Sequence, residues 1–367
     1  MNPEAHLIES IDSPHFELLC QQLSQSSSTP GHNPESSATC LGWPARNLEL
    51  IANSGAYRWF VPKHLGGVGW TSPNLAAGYV QLAAACLTTT FIITQRVAAI
   101  RRICGSDNHS LRDQLLPGLL DGSQPATVGI SHLTTSRRHL QKPALAATKH
   151  DGGYTIDGFS PWVTGGQRAA HLVMGAELES GEQVLFAIPQ HTPGVSVAPW
   201  FDLVALSNSQ TGPVKCEQVT VAKSQVLAGP SDNVLALAGI PSTGSLQTSS
   251  LAIGLSQAAI EFIRAETKTR PDLEPVFNAL NAQLVELKYK LLTVASGDPI
   301  CTNEDLRTDA NSLVLRATQA AMVAAKGTGY VKGHPVGRWC QEALFFLVWS
   351  CPQSVLNANL CELAGIE

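Results

Sequence analysis

The chain has 367 residues, of which 44% are hydrophobic and 14% are charged, and its formal net charge is −5. This length predicts two or three domains around a sizeable core. The low share of charged residues indicates that much of the surface is covered, either in an oligomer or around a cofactor. Nucleic-acid binding is not expected, because it needs clustered Lys and Arg.

The nine cysteines are scattered and form no Cys-x-x-Cys pair. We therefore expect neither a metal site nor a disulfide framework, and free thiols favour a reducing compartment, the cytoplasm. The first ten residues lack the apolar core of a secretory signal. Residues 66–95 and 343–361 carry no charge, but their polar and helix-breaking residues favour buried helices over membrane spans.

Residues 1–125 are predicted to form an N-terminal helical domain. Ser72 is predicted to be the N-cap of a helix whose first residue is Pro73. A second helix is predicted from apolar residues on one helical face, and Gly122 ends it. The residues of this face are Leu111, Leu115, Leu116, Leu119 and Leu120.

Residues 126–235 are predicted to form a small antiparallel β domain, because the apolar period changes to two. The runs that carry this period are 154–157, 184–188 and 219–221. Residues 236–367 return to helical spacing and predict a C-terminal helical bundle, with helices at 252–268, 276–296, 305–326 and 335–349. A β domain between two helical domains predicts the α+β class.

The middle of the chain holds the most informative stretch. An alternating strand breaks at Ser160-Pro161, continues as Trp162-Val163-Thr164, and turns on two glycines. A core tryptophan does not need a hydroxyl beside it and a turn after it. A tryptophan that lies against a flat ligand does, and we favour that interpretation.

Five segments in this order resemble the acyl-CoA dehydrogenase superfamily, and the resemblance covers nearly the whole chain. They are residues 60–69, 105–122, 152–176, 327–330 and 334–336. The resemblance implies the fold described above, with FAD between the β domain and the bundle and shared with a second subunit. It therefore also implies a homodimer or homotetramer.

The resemblance places Trp162 against the flavin ring and the hydroxyl of Thr164 at its reactive nitrogen, N5. Ser131 and Thr134 stand where the family contacts the flavin pyrimidine, although the usual Thr-Glu-Pro and Gly-Ser-Asp are missing. Further along the same stretch, Arg137 and Arg138 either meet a pyrophosphate or form an exposed basic loop. Two further cofactor-binding candidates belong to the late glycine turn, namely Gly327 and Gly329.

The catalytic carboxylate of the family is missing from its usual place. Ser350 occupies that position, and the second known placement, residues 244–247, also lacks an acid. Glu342 lies roughly two helical turns before Ser350 and is either a displaced base or a structural residue. His132 is similarly either a catalytic or a hydrogen-bonded structural residue. The catalytic residues are therefore left unassigned.

The resemblance implies an FAD-dependent oxidoreductase that oxidises a CH–CH bond of an acyl thioester, with acyl-CoA and an electron-transfer flavoprotein as partners. Because the base is missing, a monooxygenase that uses reduced flavin and O₂, supplied by a flavin reductase, is an alternative. A second alternative is a non-catalytic member that acts as a binding or assembly partner.

Overall fold

The computed structural model describes residues 7–28, 42–134, 143–237 and 245–366. Within these residues helices come first, strands occupy the middle of the chain, and helices return. The α+β class predicted from the sequence is confirmed. The cysteines of the described residues form no disulfide, and no helix among these residues is long and apolar enough to cross a membrane.

The first helical part contains α1 (Pro14–Ser28), α2 (Ala45–Asn53), α3 (Ser72–Ala85), α4 (Leu87–Cys104) and α5 (His109–Leu120). All five leucines of the predicted face of α5 are buried, and Gly122 follows at a φ of +76°. Helix α3 begins at Ser72, one residue earlier than predicted, and the capping residue is Thr71, whose hydroxyl accepts the Asn74 N–H. Thr71 has the extended backbone that a cap requires.

Eight strands of the described residues form one sheet. They are β1 (Ala126–Gly129), β2 (Leu145–His150), β3 (Gly153–Thr164), β4 (His171–Leu178), β5 (Gln183–Pro189), β6 (Val195–Val197), β7 (Thr211–Ala222) and β8 (Val226–Ser231). The neighbour order is β6-β7-β3-β2-β4-β5-β8, and β1 lies beside β4. The sheet is mixed rather than purely antiparallel, because β4 pairs in parallel with both β1 and β2. The long connections into β4 permit these crossovers.

The last part contains α7 (Val234–Leu237), α8 (Ser245–Thr267), α9 (Glu274–Ala295), α10 (Asn303–Ala325), α11 (Pro335–Leu344) and α12 (Gln353–Ala364). The four predicted helices correspond to α8–α11, but α11 ends earlier than expected and continues as a 3-10 turn, Phe345–Leu347. Arg307 explains this end, because its Nη2 donates to the carbonyls of Phe346 and Trp349 at 3.2 and 3.1 Å. Because Arg307 supplies the hydrogen-bond donor, these carbonyls do not need the N–H groups of a further helical turn.

The helices before and after the sheet share one hydrophobic core, in which α3 packs along α8. The sheet has a second core of its own. Helix α4 connects the two parts, since it contacts both α3 and strand β1. The division into domains at residues 125 and 235 remains a prediction.

Candidate functional site

Trp162 lies where β3 departs from regular pairing with β7. The register shifts between Ser160 and Val163, so the intervening residues bulge out of the ladder. The indole is 49% exposed, and the ring of Phe201 lies against it with 4.8 Å between centroids and 53° between planes. Much of a large apolar ring therefore remains accessible to a ligand.

Thr164 ends the same strand and belongs to a chain of three buried hydroxyls. Its Oγ1 lies 2.9 Å from the Oγ1 of Thr211, which lies 2.8 Å from the Oγ of Ser209. On β1, Thr127 donates its hydroxyl to the Thr164 carbonyl at 2.7 Å. A hydroxyl has one hydrogen and two lone pairs, so the hydrogen bond with Thr211 holds Thr164 and leaves its hydroxyl capacity for further partners.

The turn after Thr164 requires glycine. Gly165 has a φ of +61°, and its N–H donates to the carbonyls of Ser209 and Gln210 at 3.1 Å each. A Cβ on Gly165 would lie 2.7 Å from the ring of Trp43. Close packing of the turn against that ring therefore explains one of the two glycines noted in the sequence.

The corner after β1 is a one-turn helix, α6 (Ser131–Thr134), which packs against β3. The structure thus brings Ser131 to the strand that carries Trp162. Next to Ser131, His132 donates from Nε2 to the Gly175 carbonyl at 2.7 Å, and burial lowers the pKa of the imidazole. This geometry supports the structural interpretation of His132. Three predicted contacts lie outside the described side chains: Thr134, Arg137 and Arg138.

Gly327 and Gly329 lie in a 3-10 turn, Lys326–Tyr330, between α10 and α11. A Cβ on Gly329 would lie 2.8 Å from the Cβ of Ala325. Close packing against α10 therefore explains why glycine occupies this position. The described contacts of the turn are with α10 and α11. Within one chain these contacts do not bring the two glycines to Trp162.

Ser350 is exposed and has a φ of +47°. It follows Trp349, whose ring stacks on Phe345 at 4.9 Å and 15°. At the second predicted placement of the base, Gln247 donates to the Tyr79 hydroxyl at 3.1 Å. Neither position provides a carboxylate.

Glu342 is a buried carboxyl on α11, with 3% of its surface exposed. The Thr88 hydroxyl donates to its Oε1 at 3.4 Å, and the Nε of Arg338 lies 3.7 Å from the same oxygen. Burial raises the pKa of Glu342 to about 7, although Arg338 and Thr88 both oppose the rise. Thr88 lies on α4 one turn before Ile92, a residue that lines a cavity beside Thr164.

That cavity lies between α4 and the turn after β3, and its volume is about 10 Å³. This is the space of one water molecule, so the cavity does not hold a ring system. Among the described residues near Thr164, the half-exposed ring of Trp162 offers an open face to a flat ligand. Phe201, Ser209 and Thr211 complete the surroundings of Trp162 and Thr164, and no local pattern in the sequence pointed to them.

No protein-family model matches the chain, but individual proteins do. It is 27% identical to isovaleryl-CoA dehydrogenase, mitochondrial, from Oryza sativa subsp. japonica over 250 residues, which are 63% of this chain and 61% of that protein. It is 23% identical to the probable acyl-CoA dehydrogenase YngJ from Bacillus subtilis, over 82% of this chain and 84% of that protein.

Solved structures show the same fold. Glutaryl-coenzyme A dehydrogenase in complex with glutaryl-CoA superposes with a TM-score of 0.77 at 13% identity, covering 97% of this chain and 96% of that one. Dibenzothiophene monooxygenase from Paenibacillus superposes with a TM-score of 0.75 at 15% identity, covering 96% and 97%. The sequence relatives, the fold and the order of the five segments all point to acyl-CoA dehydrogenases. These similarities support membership of the acyl-CoA dehydrogenase superfamily.

Proposed function

We propose that the protein is an FAD-dependent oxidoreductase that acts on an acyl thioester or a similar small substrate. The observation that carries this proposal is the half-exposed indole of Trp162 with a buried hydroxyl two residues later. The relatives named as acyl-CoA dehydrogenases support the substrate class.

The residues present fit the ring end of a flavin. An isoalloxazine is a broad aromatic face, and stacking on indole contributes roughly 0.5–1.5 kcal/mol beyond area burial. The Thr164 hydroxyl has unused hydrogen-bonding capacity, and the buried Nε2 of Gln210 has no partner among the described residues. Trp162 would hold the ring, Thr164 would face its polar edge, and the flavin when bound supplies the acceptor for a substrate hydride.

For oxidation of an acyl thioester the chain must also accept an α-proton. Glu342 is the residue that we propose for this role, because its pKa near 7 suits a general base at neutral pH. The Thr88 hydroxyl donates to the carboxylate and favours its charged form. Ser350 is a much weaker proton acceptor, and its exposed position does nothing to activate it.

A monooxygenase is the second candidate, because the exposed Ser350 leaves the usual base position without a carboxylate. Hydroxylation with reduced flavin and O₂ removes no α-proton and needs no such base. The partner then is a flavin reductase, whereas an acyl-CoA oxidation delivers its electrons to an electron-transfer flavoprotein.

Visible absorbance of the purified protein, with and without added FAD, tests the proposal. We expect one FAD per chain, and anaerobic acyl-CoA should then bleach the flavin absorbance. With Glu342→Gln, bleaching should slow by roughly 10²–10⁴-fold while FAD stays bound. Flavin that no acyl-CoA bleaches, but that supports NAD(P)H- and reductase-dependent oxygen use, indicates the monooxygenase. A colourless protein that gives no heat with FAD rules out both.

We also propose that the protein is a homodimer or homotetramer. Three apolar side chains lie exposed along one face of α9 at helical spacing: Val285, Tyr289 and Leu292. Such a face is typical of a surface that another chain covers. Sedimentation equilibrium should give a multiple of the 39.0 kDa chain mass, and a monomer at micromolar concentration would contradict the assignment.

A further inference from the structure

Two arginines line the cavity beside Thr164, and neither has a carboxylate partner among the described residues. Arg96 comes from α4, and Arg168 comes from the turn after β3. In the part of the chain that the structure describes, the ion pairs within 4.0 Å include neither of them. Two positive charges therefore face one small cavity without compensation.

Both guanidinium groups are held in place by uncharged partners. Arg96 donates from Nη1 to the Tyr57 hydroxyl at 2.8 Å, and its Cζ lies 5.9 Å from the centre of that ring. Arg168 donates from Nε to the Oε1 of Gln210 at 3.1 Å, and its Cζ lies 6.0 Å from the centre of the Trp43 ring. These contacts orient the two arginines and leave most of their N–H groups available.

Arg96 and Arg168 bring hydrogen-bond donors to the lining of the cavity. A guanidinium has five N–H donors and no acceptor. Gln210, which accepts from Arg168, is 3% exposed, and its own Nε2 has no partner among the described residues. Planar donors of this kind match the two oxygens of a carboxylate or phosphate.

We propose that Arg96 and Arg168 form a binding site for an oxyanion group, a carboxylate or a phosphate, on a ligand that lies at Trp162. The cavity has the volume of one water molecule, so the anion would stay at its mouth, where Arg168 is exposed. Two sources share this chemistry: the pyrophosphate of a dinucleotide and an acidic group on the substrate. The position of the ligand at Trp162 and the choice of source rest on the proposed function, whereas the anion site itself does not.

Calorimetric titration with inorganic phosphate and with succinate, at constant ionic strength, tests the site directly. We expect both probes to bind the wild-type protein and at least a tenfold loss of affinity in Arg96→Gln/Arg168→Gln. The matched control is Arg112→Gln, because Arg112 already has a carboxylate partner, Asp113, at 2.9 Å. The control should bind both probes as the wild type does. Circular dichroism checks that each variant is folded.

Titration of the same variants with FAD distinguishes the two sources. A tenfold weaker FAD affinity assigns the anion to the pyrophosphate, whereas unchanged FAD affinity with lost phosphate and succinate binding assigns it to the substrate. If the double variant does not fold, Arg96→Lys/Arg168→Lys keeps the charges and should bind both probes more weakly. Equal binding by wild type and folded variant, or none by the wild type, overturns the site. A protein that binds phosphate but never FAD contradicts only the proposed function.

Discussion

Trp162→Ala is expected to weaken FAD binding by roughly tenfold to a hundredfold while the protein stays folded. The indole supplies a stacking contribution of about 0.5–1.5 kcal/mol, and the apolar area that it buries adds about 25 cal/mol per Å². Every 1.4 kcal/mol changes the dissociation constant about tenfold. Because the indole is 49% exposed, its removal leaves the sheet core intact. Calorimetric titration with FAD measures the affinity.

Two further variants test whether the loss of FAD affinity is specific to the indole of Trp162. Phe159→Ala removes another exposed aromatic ring of β3, 42% exposed, and should leave FAD affinity within about twofold of the wild type. Trp162→Phe keeps an aromatic face and should fall between the wild type and the alanine variant. If Trp162→Ala binds FAD as tightly as the wild type, the indole is not the flavin platform.

The local structure of residues 152–176 was predictable from the sequence, but the surroundings of Trp162 were not. A strand, a bulge signal and a glycine turn are local features, and β3 and Gly165 follow them. Phe201 and the hydroxyl chain through Thr211 depend on which strands pair and in what register. Alternation along one strand does not specify its neighbour, because every strand has the same period.

In the helices too, features set by neighbouring residues were predictable, and features set by contacts with other elements were not. The leucines of α5 all face the core, because the helical period fixes their side. The end of α11 was predicted too late, since Arg307 satisfies the carbonyls there from a helix far away in the sequence. The capping residue of α3 was misplaced by one position, because both candidates carry a hydroxyl and only the backbone conformation selects between them.

Glu342 illustrates why the catalytic residues stayed unassigned. Its distance from Ser350 in the sequence is compatible with a displaced base and with a structural residue. The structure adds Thr88, which lies 254 positions away and donates to the buried carboxyl. It also shows that the carboxyl has almost no exposed surface. Burial of this kind disfavours the charged form of the carboxyl, and it is the main cause of the raised pKa.

The raised pKa of Glu342 predicts a pH-dependent gain in stability for Glu342→Gln. In the unfolded chain this carboxyl titrates near 4.5, and in the folded protein near 7. Between these values the folded state holds a proton that the unfolded chain has released, so the free energy of unfolding falls as pH rises through the window. Glutamine stays neutral and avoids that loss. We expect the variant to unfold with a free energy higher by roughly 1–3 kcal/mol at pH 8.

Urea denaturation at a series of pH values from 4 to 8 measures this effect. The two proteins should have similar free energies of unfolding near pH 4.5 and diverge as pH rises, because the wild type alone must bury a charge. Glu286→Gln is the control, since the Glu286 side chain is 63% exposed and pairs with Lys290 on the surface of α9. Its difference from the wild type should stay within about 0.5 kcal/mol. A variant that is less stable than the wild type at pH 8 would mean that Arg338 keeps Glu342 charged and that the ion pair outweighs the cost of burial.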